Sequence, residues 1–354
     1  MSNNGTPPAS TLADGRDRAA RHSFMQHIVT DSETLERFRH LRFVLPPLLL
    51  YALAVVLFEA SVDPERPFTP LLLQAVQPGG VPGVAQALVE LKARLAWFAA
   101  ALLNIVVSVV AMLYCVVTLR RLVGRGQLIV TATIGALLGA VILGQLAFGA
   151  GQRSAMYQLV FGFTYSILAH AGIFGEEFLH KVYAIIALIN VLAAIAPVFI
   201  LMTTCATVAS LAIEDDPERM AVRARYLKQV TAVASVFLVV GVLHMGFWLG
   251  WTSSLTNDPG LQSRLSGVAS SVSAFWGVAF TTVLIGAYVP SALYLNKRAQ
   301  ALLRERGQAT TPAETEHWLS ERGLSFKLSN QLAQCLSIVA PFLAAPLSAT
   351  ISFS

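Results

Sequence analysis

Charged side chains are scarce in this chain: they make up 13% of its 354 residues, against about 25% in a typical soluble domain. The longest stretch without any charge, Val182–Ile213, has 32 residues and lies between Lys181 and Glu214. Hydrophobic residues make up 55% of the chain, and its mean hydropathy is +0.62. This composition excludes an ordinary soluble domain and indicates a polytopic membrane protein.

Sequence signatures of catalysis are also absent. We find no nucleophile elbow, phosphate-binding loop, zinc-protease motif or dinucleotide-binding glycine loop. The three cysteines, Cys115, Cys205 and Cys335, are scattered and suggest neither a disulfide framework nor a zinc site. No soluble stretch is large enough to form a basic face for nucleic acid. The sequence therefore predicts a protein that is not an enzyme, uses no cofactor and binds no nucleic acid.

Six apolar segments are long enough to cross a hydrocarbon layer of about 30 Å. We predict an all-α integral membrane protein with a transmembrane domain over 43–296 and spans at about 43–60, 95–119, 128–150, 182–213, 230–251 and 268–295. Pro197 is the expected kink in the fourth span, because proline removes one backbone donor. The region 155–174 is predicted to be a re-entrant or interfacial helix rather than a further span.

Two polar tails flank these spans. Residues 1–42 are predicted to be a partly disordered cytoplasmic tail without the apolar core of a signal peptide, so the first span should stay as an anchor. Residues 297–354 are predicted to be a cytoplasmic helical tail. Within it, Thr311-Pro312-Ala313-Glu314 indicates a helix start and Gly323 indicates that helix's end. An amphipathic helix follows, which could lie on the membrane surface, pack under the bundle or join subunits.

Lysine and arginine are distributed unevenly about the six spans. Nineteen of the 25 fall on the side of the two tails and six on the other side, which predicts that both termini are cytoplasmic in a bacterial-type inner membrane. An additional span at 155–174 would move ten of the nineteen across. Four tryptophans fall at the predicted outer ends of spans and suggest an interfacial aromatic belt: Trp97, Trp248, Trp251 and Trp276.

Apart from Glu59 at the very end of the first span, the predicted spans contain few polar residues and no Asp, Glu, Lys or Arg, so a classical ion-coupled carrier is not expected. Six of these polar residues are candidates for lining a polar pathway: Asn104, Gln145, Asn190, Thr203, Thr204 and His244. The alternative is that they join helices through hydrogen bonds. In the third span, Gly135 and Gly139 lie four residues apart and Gly144 follows, which predicts close helix packing within one subunit or between subunits.

A metal site is only weakly indicated. Glu177 and His180 have the E-x-x-H spacing of di-iron bundles, but those proteins repeat the motif on a second helix, and no second copy occurs in the apolar spans. A solvated helix end is the alternative, and no metal is expected.

The sequence leaves three functions open. The first is an oligomerising channel or membrane-permeabilising bundle of effector type, without catalytic activity. The second is a membrane anchor or assembly protein that recruits a soluble partner through its cytoplasmic tails. The third is a small-molecule exporter. The expected partners are the lipid bilayer, other copies of the chain, and such a soluble cytoplasmic protein.

Overall fold

The structure is a computed structural model, and it describes residues 39–62, 83–147, 154–209, 216–309, 311–325 and 328–353. Every regular element in these ranges is helical. The α-helices of at least eight residues are α1 (Leu45–Ala60), α2 (Val84–Leu122), α3 (Arg125–Ala147), α4 (Phe163–His170), α5 (Glu176–Thr207), α6 (Pro217–Trp251), α7 (Pro259–Glu305), α8 (Pro312–Glu321) and α9 (Leu328–Phe353). The predicted N-terminal tail lies outside the described residues up to residue 38.

Six of these helices are long and apolar enough to cross a membrane: α1, α2, α3, α5, α6 and α7. The all-α class and the six apolar helices predicted from the sequence are therefore confirmed. Three helices run further than hydropathy indicates: α2 begins at Val84, α6 begins at Pro217 and α7 ends at Glu305. A helix satisfies its own backbone in water as well as in lipid, so it need not end where the apolar sequence ends.

The helix that corresponds to the fourth predicted span begins and ends earlier in the sequence than predicted. α5 occupies Glu176–Thr207 rather than 182–213, and residues 210–213 lie outside the described residues. Its first turn carries Glu176 and Glu177, whose carboxylates interact favourably with the partial positive charge of a helix N-terminus. Pro197 lies in the interior of this continuous helix, and the kink there stays a prediction.

The bundle has two ends of different composition. One, here called the tryptophan end, contains a buried cluster with Trp97, Trp248, Trp251 and Trp276. The other, here called the basic end, carries the hydrogen-bonded cations Arg223, Lys228, Arg306 and Arg322. α2, α5 and α7 start at the tryptophan end, and α1, α3 and α6 start at the basic end. Neighbours in the sequence are therefore antiparallel in space.

The segment before α5 belongs to the tryptophan end. A turn of π-helix, Gln158–Gly162, leads into α4. The backbone N–H of Met156 donates to the Glu59 carboxylate (3.1 Å) at the end of α1, and the Phe174 ring packs edge-on against Trp251 with centroids 5.8 Å apart. Both ends of this segment thus contact the same end of the bundle, as a re-entrant or interfacial helix requires. Its depth in the membrane stays a prediction.

The C-terminal region divides into two unlike helices. α8 begins with the capping box predicted from the sequence, because Thr311 Oγ1 accepts from Glu314 N–H and the Glu314 carboxylate accepts from Thr311 N–H. Gly323 follows α8 with φ of +70°, a left-handed conformation that favours glycine. α9 packs lengthwise against α6 and α7. These contacts differ from those expected of a helix on the membrane surface.

Candidate functional site

The four tryptophans of the tryptophan end are fully buried, with exposed fractions of 0%. Trp97 lies 5.1 Å from Trp248 and 5.4 Å from Trp251 between ring centroids, and Trp248 lies 6.0 Å from Trp251. The aromatic-belt interpretation of these residues is therefore wrong, since belt residues lie at the lipid interface. Hydropathy locates tryptophan along a helix but does not tell which face of the helix it occupies.

Two of these indoles donate hydrogen bonds between helices. Trp97 on α2 donates from Nε1 to His244 Nε2 on α6 (3.1 Å). Trp251 on α6 donates to Glu90 Oε1 on α2 (3.1 Å). α2 and α6 are thus joined twice within the apolar core, and such bonds contribute about 1 kcal/mol or less each inside a membrane.

The acidic partner in this pair of bonds is Glu90, which lies within a helix otherwise rich in apolar residues and is only 7% exposed. Its second carboxylate oxygen pairs with Arg94 Nη2 at 3.4 Å. The Arg94 guanidinium lies over the Phe178 ring, 5.6 Å from its centroid. The negative charge therefore has one cationic and one neutral donor, as a buried carboxylate needs.

His244 is the one candidate pathway residue that carries a titratable ring. Its Nε2 accepts the bond from Trp97, so that nitrogen holds no proton and the proton of the neutral ring is on Nδ1. The ring is 4% exposed. His244 therefore joins α6 to α2 through Nε2, and that nitrogen is not available to a permeating molecule.

Thr203 and Thr204 bond mainly to their own helix. Thr203 Oγ1 donates to Phe199 O (2.7 Å) and, at 3.4 Å, to Cys115 O on α2. Thr204 Oγ1 donates to Ile200 O (2.9 Å). A hydroxyl bonded to the carbonyl four residues earlier is satisfied without any pore water.

The asparagine candidates lie on neighbouring helices. Asn104 on α2 is 4% exposed, and the Ser108 hydroxyl donates to both its carbonyl oxygen (2.7 Å) and its Oδ1 (3.3 Å). Asn190 on α5 is partly buried. The Gln145 side chain lies outside the described residues. No hydrogen bond joins any two of the five described candidates. They therefore do not form one connected polar network.

The three candidate packing glycines behave differently from one another. A Cβ at Gly135 would lie 3.3 Å from Met202 and 3.7 Å from Val198, so this glycine packs α3 onto α5. A Cβ at Gly139 or Gly144 would meet no atom of the described residues within 4 Å. Close packing within the subunit is therefore seen at Gly135, whereas the other two positions are open.

The E-x-x-H pair lies on the first turns of α5. Glu177 forms an ion pair with Lys181 (2.6 Å), and His180 is exposed. Within the part of the chain that the structure describes, no group of three or more His, Cys, Asp or Glu side chains could hold a metal ion. A metal ion held by Glu177 and His180 would therefore have no third ligand of these types among the described residues.

At the basic end, cations bond to the carboxyl ends of helices. Arg223 Nη1 lies 3.5 Å from the carbonyl of Thr207, the last residue of α5, and Lys228 Nζ donates to Gly323 O just after α8 (2.7 Å). Carbonyls at a helix C-terminus lack intrahelical donors and carry partial negative charge. An ion pair between Arg322 and Glu218 (2.6 Å) also fastens α8 to α6. The Glu218 carboxylate raises the pKa of the Arg322 guanidinium.

Sequence reasoning missed the buried contacts of two residues. Glu90 lies ahead of the second predicted span, where a carboxylate is not expected to be buried, and Ser235 lies inside the fifth predicted span without any neighbouring motif. The Ser235 hydroxyl on α6 donates to Ser337 O on α9. The sequence carries a signal for the acceptor of this bond but not for its donor: Pro341 follows Ser337 by four residues and deprives the Ser337 carbonyl of a helical donor.

Comparisons with known proteins add no family assignment, since no family model, curated protein or solved structure matches this chain.

Proposed function

We propose that this chain is a non-catalytic helical bundle of a bacterial-type inner membrane that assembles with copies of itself to form or open a pathway across the bilayer. The observation that supports this proposal is that α3 packs against the rest of the protein over only a small part of its surface. Only 6% of the most apolar stretch of α3 is buried in the protein, against 56% for α6. Among the helices of the described residues, α3 has one principal neighbour, α5.

The open face of α3 has the composition of a helix–helix contact. Ala132, Ala136 and Ala140 are exposed at four-residue spacing, and Leu137 and Val141 lie beside them. Small side chains let two helix backbones approach closely in a membrane, where packing rather than hydrophobicity drives association. The occupant that we propose for this face is the same helix of a second copy.

A pathway between subunits agrees better with the polar residues than a pathway through one chain. His244 bonds through Nε2 to Trp97, and Thr203 and Thr204 bond to backbone carbonyls. Those groups are already satisfied inside the bundle, which supports the interpretation that they join helices. Assembly through the open face of α3 would then create the passage between subunits.

The test compares two alanine-to-tryptophan variants. Ala136→Trp places a large ring on the open face of α3, and Ala52→Trp places the same ring at an exposed position of α1. We expect purified wild-type protein to form oligomers in lipid nanodiscs and to release dye from liposomes, Ala136→Trp to lose both properties, and Ala52→Trp to retain both. Vesicles that stay sealed with oligomeric wild-type protein would refute the pathway, and a monomeric wild type would refute assembly.

The anchoring alternative is favoured by one observation at the basic end. α8 is fixed to the bundle through Lys228 and Arg322, and it exposes Glu314, His317 and Glu321. A fixed, solvated helix could present a binding surface to a soluble protein. Full-length protein in nanodiscs should then capture a specific partner, and Ala313→Arg on the exposed surface of α8 should abolish that capture while Ala52→Trp leaves it unchanged.

A further inference from the structure

Helix α9 contains no charged residue and is as long as a membrane span. Its 26 residues would extend about 39 Å at about 1.5 Å per residue, more than the roughly 30 Å of a hydrocarbon core. No charged residue follows Lys327 in the whole sequence. Residues Gln331–Leu347 form an apolar helix even when the terminal part of α9 is left aside.

The contacts of α9 fix its direction. Ser337 contacts Ser235 of α6, and further along both helices Ala344 and Ala345 pack against Val242. α9 therefore runs parallel to α6, from the basic end towards the tryptophan end.

The contacts with α7 give the same direction. Gln331 accepts a hydrogen bond from the Tyr288 hydroxyl (2.9 Å), whereas Pro341 lies against Gly277, eleven residues earlier in α7. α9 is thus antiparallel to α7. Eight residues separate Ala345 from Phe353, and nine separate Val242 from Trp251, so the helix axis of α9 continues to about the level at which α6 ends.

The proline in the middle of α9 is accommodated as in a membrane-buried helix. Pro341 has no N–H to donate to Ser337 O, and the Ser235 hydroxyl donates to that carbonyl instead. An unpaired carbonyl is costly in lipid, and neighbouring helices commonly supply the missing donor through serine or threonine. Water would satisfy the same carbonyl on a membrane surface, where no such partner is needed.

The backbone of α9 also approaches α7 more closely than side chains would permit. A Cβ at Gly277 would lie 2.8 Å from Pro341 O and 3.1 Å from the Cα of Phe342. Contact at this distance requires the absence of a side chain on α7, as in the small-residue contacts of membrane helices. α9 is therefore packed into the bundle along much of its length.

The charge distribution places no restriction on where the end of α9 lies. The six lysines and arginines of the C-terminal region, Lys297 to Lys327, all precede α9. The excess of basic residues on one side is unchanged if α9 crosses the bilayer, because positive charge near the spans sets the orientation and nothing charged is moved.

We propose that α9 is a seventh membrane-crossing helix, so that the C-terminus lies at the tryptophan end, on the side of the membrane opposite to α8 and to the start of α1. This replaces the cytoplasmic C-terminus expected from six spans. The placement does not depend on whether the chain oligomerises.

The test uses single cysteines in a full-length chain carrying Cys115→Ala, Cys205→Ala and Cys335→Ala. Gln308→Cys replaces an exposed residue between α7 and α8, and Ser354→Cys lies at the C-terminus. With a membrane-impermeant maleimide on intact cells and on permeabilised cells, we expect the two positions to be labelled from opposite sides. Labelling from the same side overturns the proposal, and so does a Ser354→Cys thiol that stays unlabelled after permeabilisation.

Reporter fusions after Ser354 of the unaltered chain give a second measurement that does not depend on the cysteine replacements. If basic residues mark the cytoplasmic side, alkaline phosphatase fused there should be active and green fluorescent protein should be dark. Fluorescent fusions without phosphatase activity would place the C-terminus in the cytoplasm and refute a seventh crossing.

Discussion

The two ends of the bundle are held together by different physical means. The tryptophan end relies on ring packing and on buried indole donors, with Trp97 bonded to His244 and Trp251 to Glu90. The basic end relies on cations that bond to helix carboxyl ends and to carboxylates, including Lys228 with Gly323 O and Arg322 with Glu218. Buried aromatic pairs contribute about 0.5–1.5 kcal/mol each beyond the area that they bury, whereas exposed ion pairs contribute about 1 kcal/mol or less and are screened by salt. The tryptophan end should therefore contribute most of the stability, and the basic end should determine how α8 is attached.

The largest expected effect comes from Trp251→Ala. This change removes the ring contacts with Trp97, Trp248 and Phe174 and the bond to Glu90, and a core Trp→Ala change costs about 3–5 kcal/mol. Trp318→Ala at the basic end removes a cation–π contact with Arg322 and the packing of a half-buried ring, and it should cost less, about 1–2 kcal/mol. Unfolding in detergent measures both, and equal losses would refute the proposed difference between the ends.

A medium effect is expected from Gly277→Ala, which places a methyl group against the backbone of α9. Overpacking of this kind costs about 1–3 kcal/mol. The matched control is Gly241→Ala on α6, where a Cβ meets no atom of the part of the chain that the structure describes within 4 Å, so the higher helix propensity of alanine should make the change neutral or stabilising. Comparable stabilities of the two variants in thermal unfolding would show that α9 does not pack against Gly277.

The last comparison concerns the acidic partners at each end and includes the smallest expected effect, that of Glu218. Glu90→Leu leaves the Trp251 indole and Arg94 without their buried acceptor and should cost about 1–3 kcal/mol at both low and high salt. Glu218→Gln weakens an exposed ion pair and should cost about 1 kcal/mol or less, with most of the loss gone at about 1 M salt. A Glu90 effect that disappears with salt would mean that this carboxylate is solvated.

The sequence predicts the architecture well where one periodic property decides it. Hydrophobic runs identify the six apolar helices. The Thr311–Glu314 pattern identifies a capping box because its two partners are only three residues apart in the sequence. Packing is not predictable in this way. The burial of Trp248 and the bond between Ser235 and Ser337 depend on which helix faces which, and a single sequence does not specify this.

A single sequence also does not show which groups the candidate pathway residues bond to. Asn104, Thr203 and His244 were singled out because polar groups are rare in apolar helices. The structure shows that their partners are Ser108, Phe199 O and Trp97. Two of those partners lie four residues away in the same helix. The third lies 147 residues away in the sequence, a separation at which local patterns carry no information.

The burial of four of the five tryptophans also has an optical consequence. Trp97, Trp248, Trp251 and Trp276 are shielded from both water and lipid tails, so bromine-labelled acyl chains should quench their emission weakly. Trp318, on the partly exposed α8, is the exception. Intrinsic fluorescence of this protein therefore reports whether the helices are packed together and says little about how deeply they sit in the bilayer.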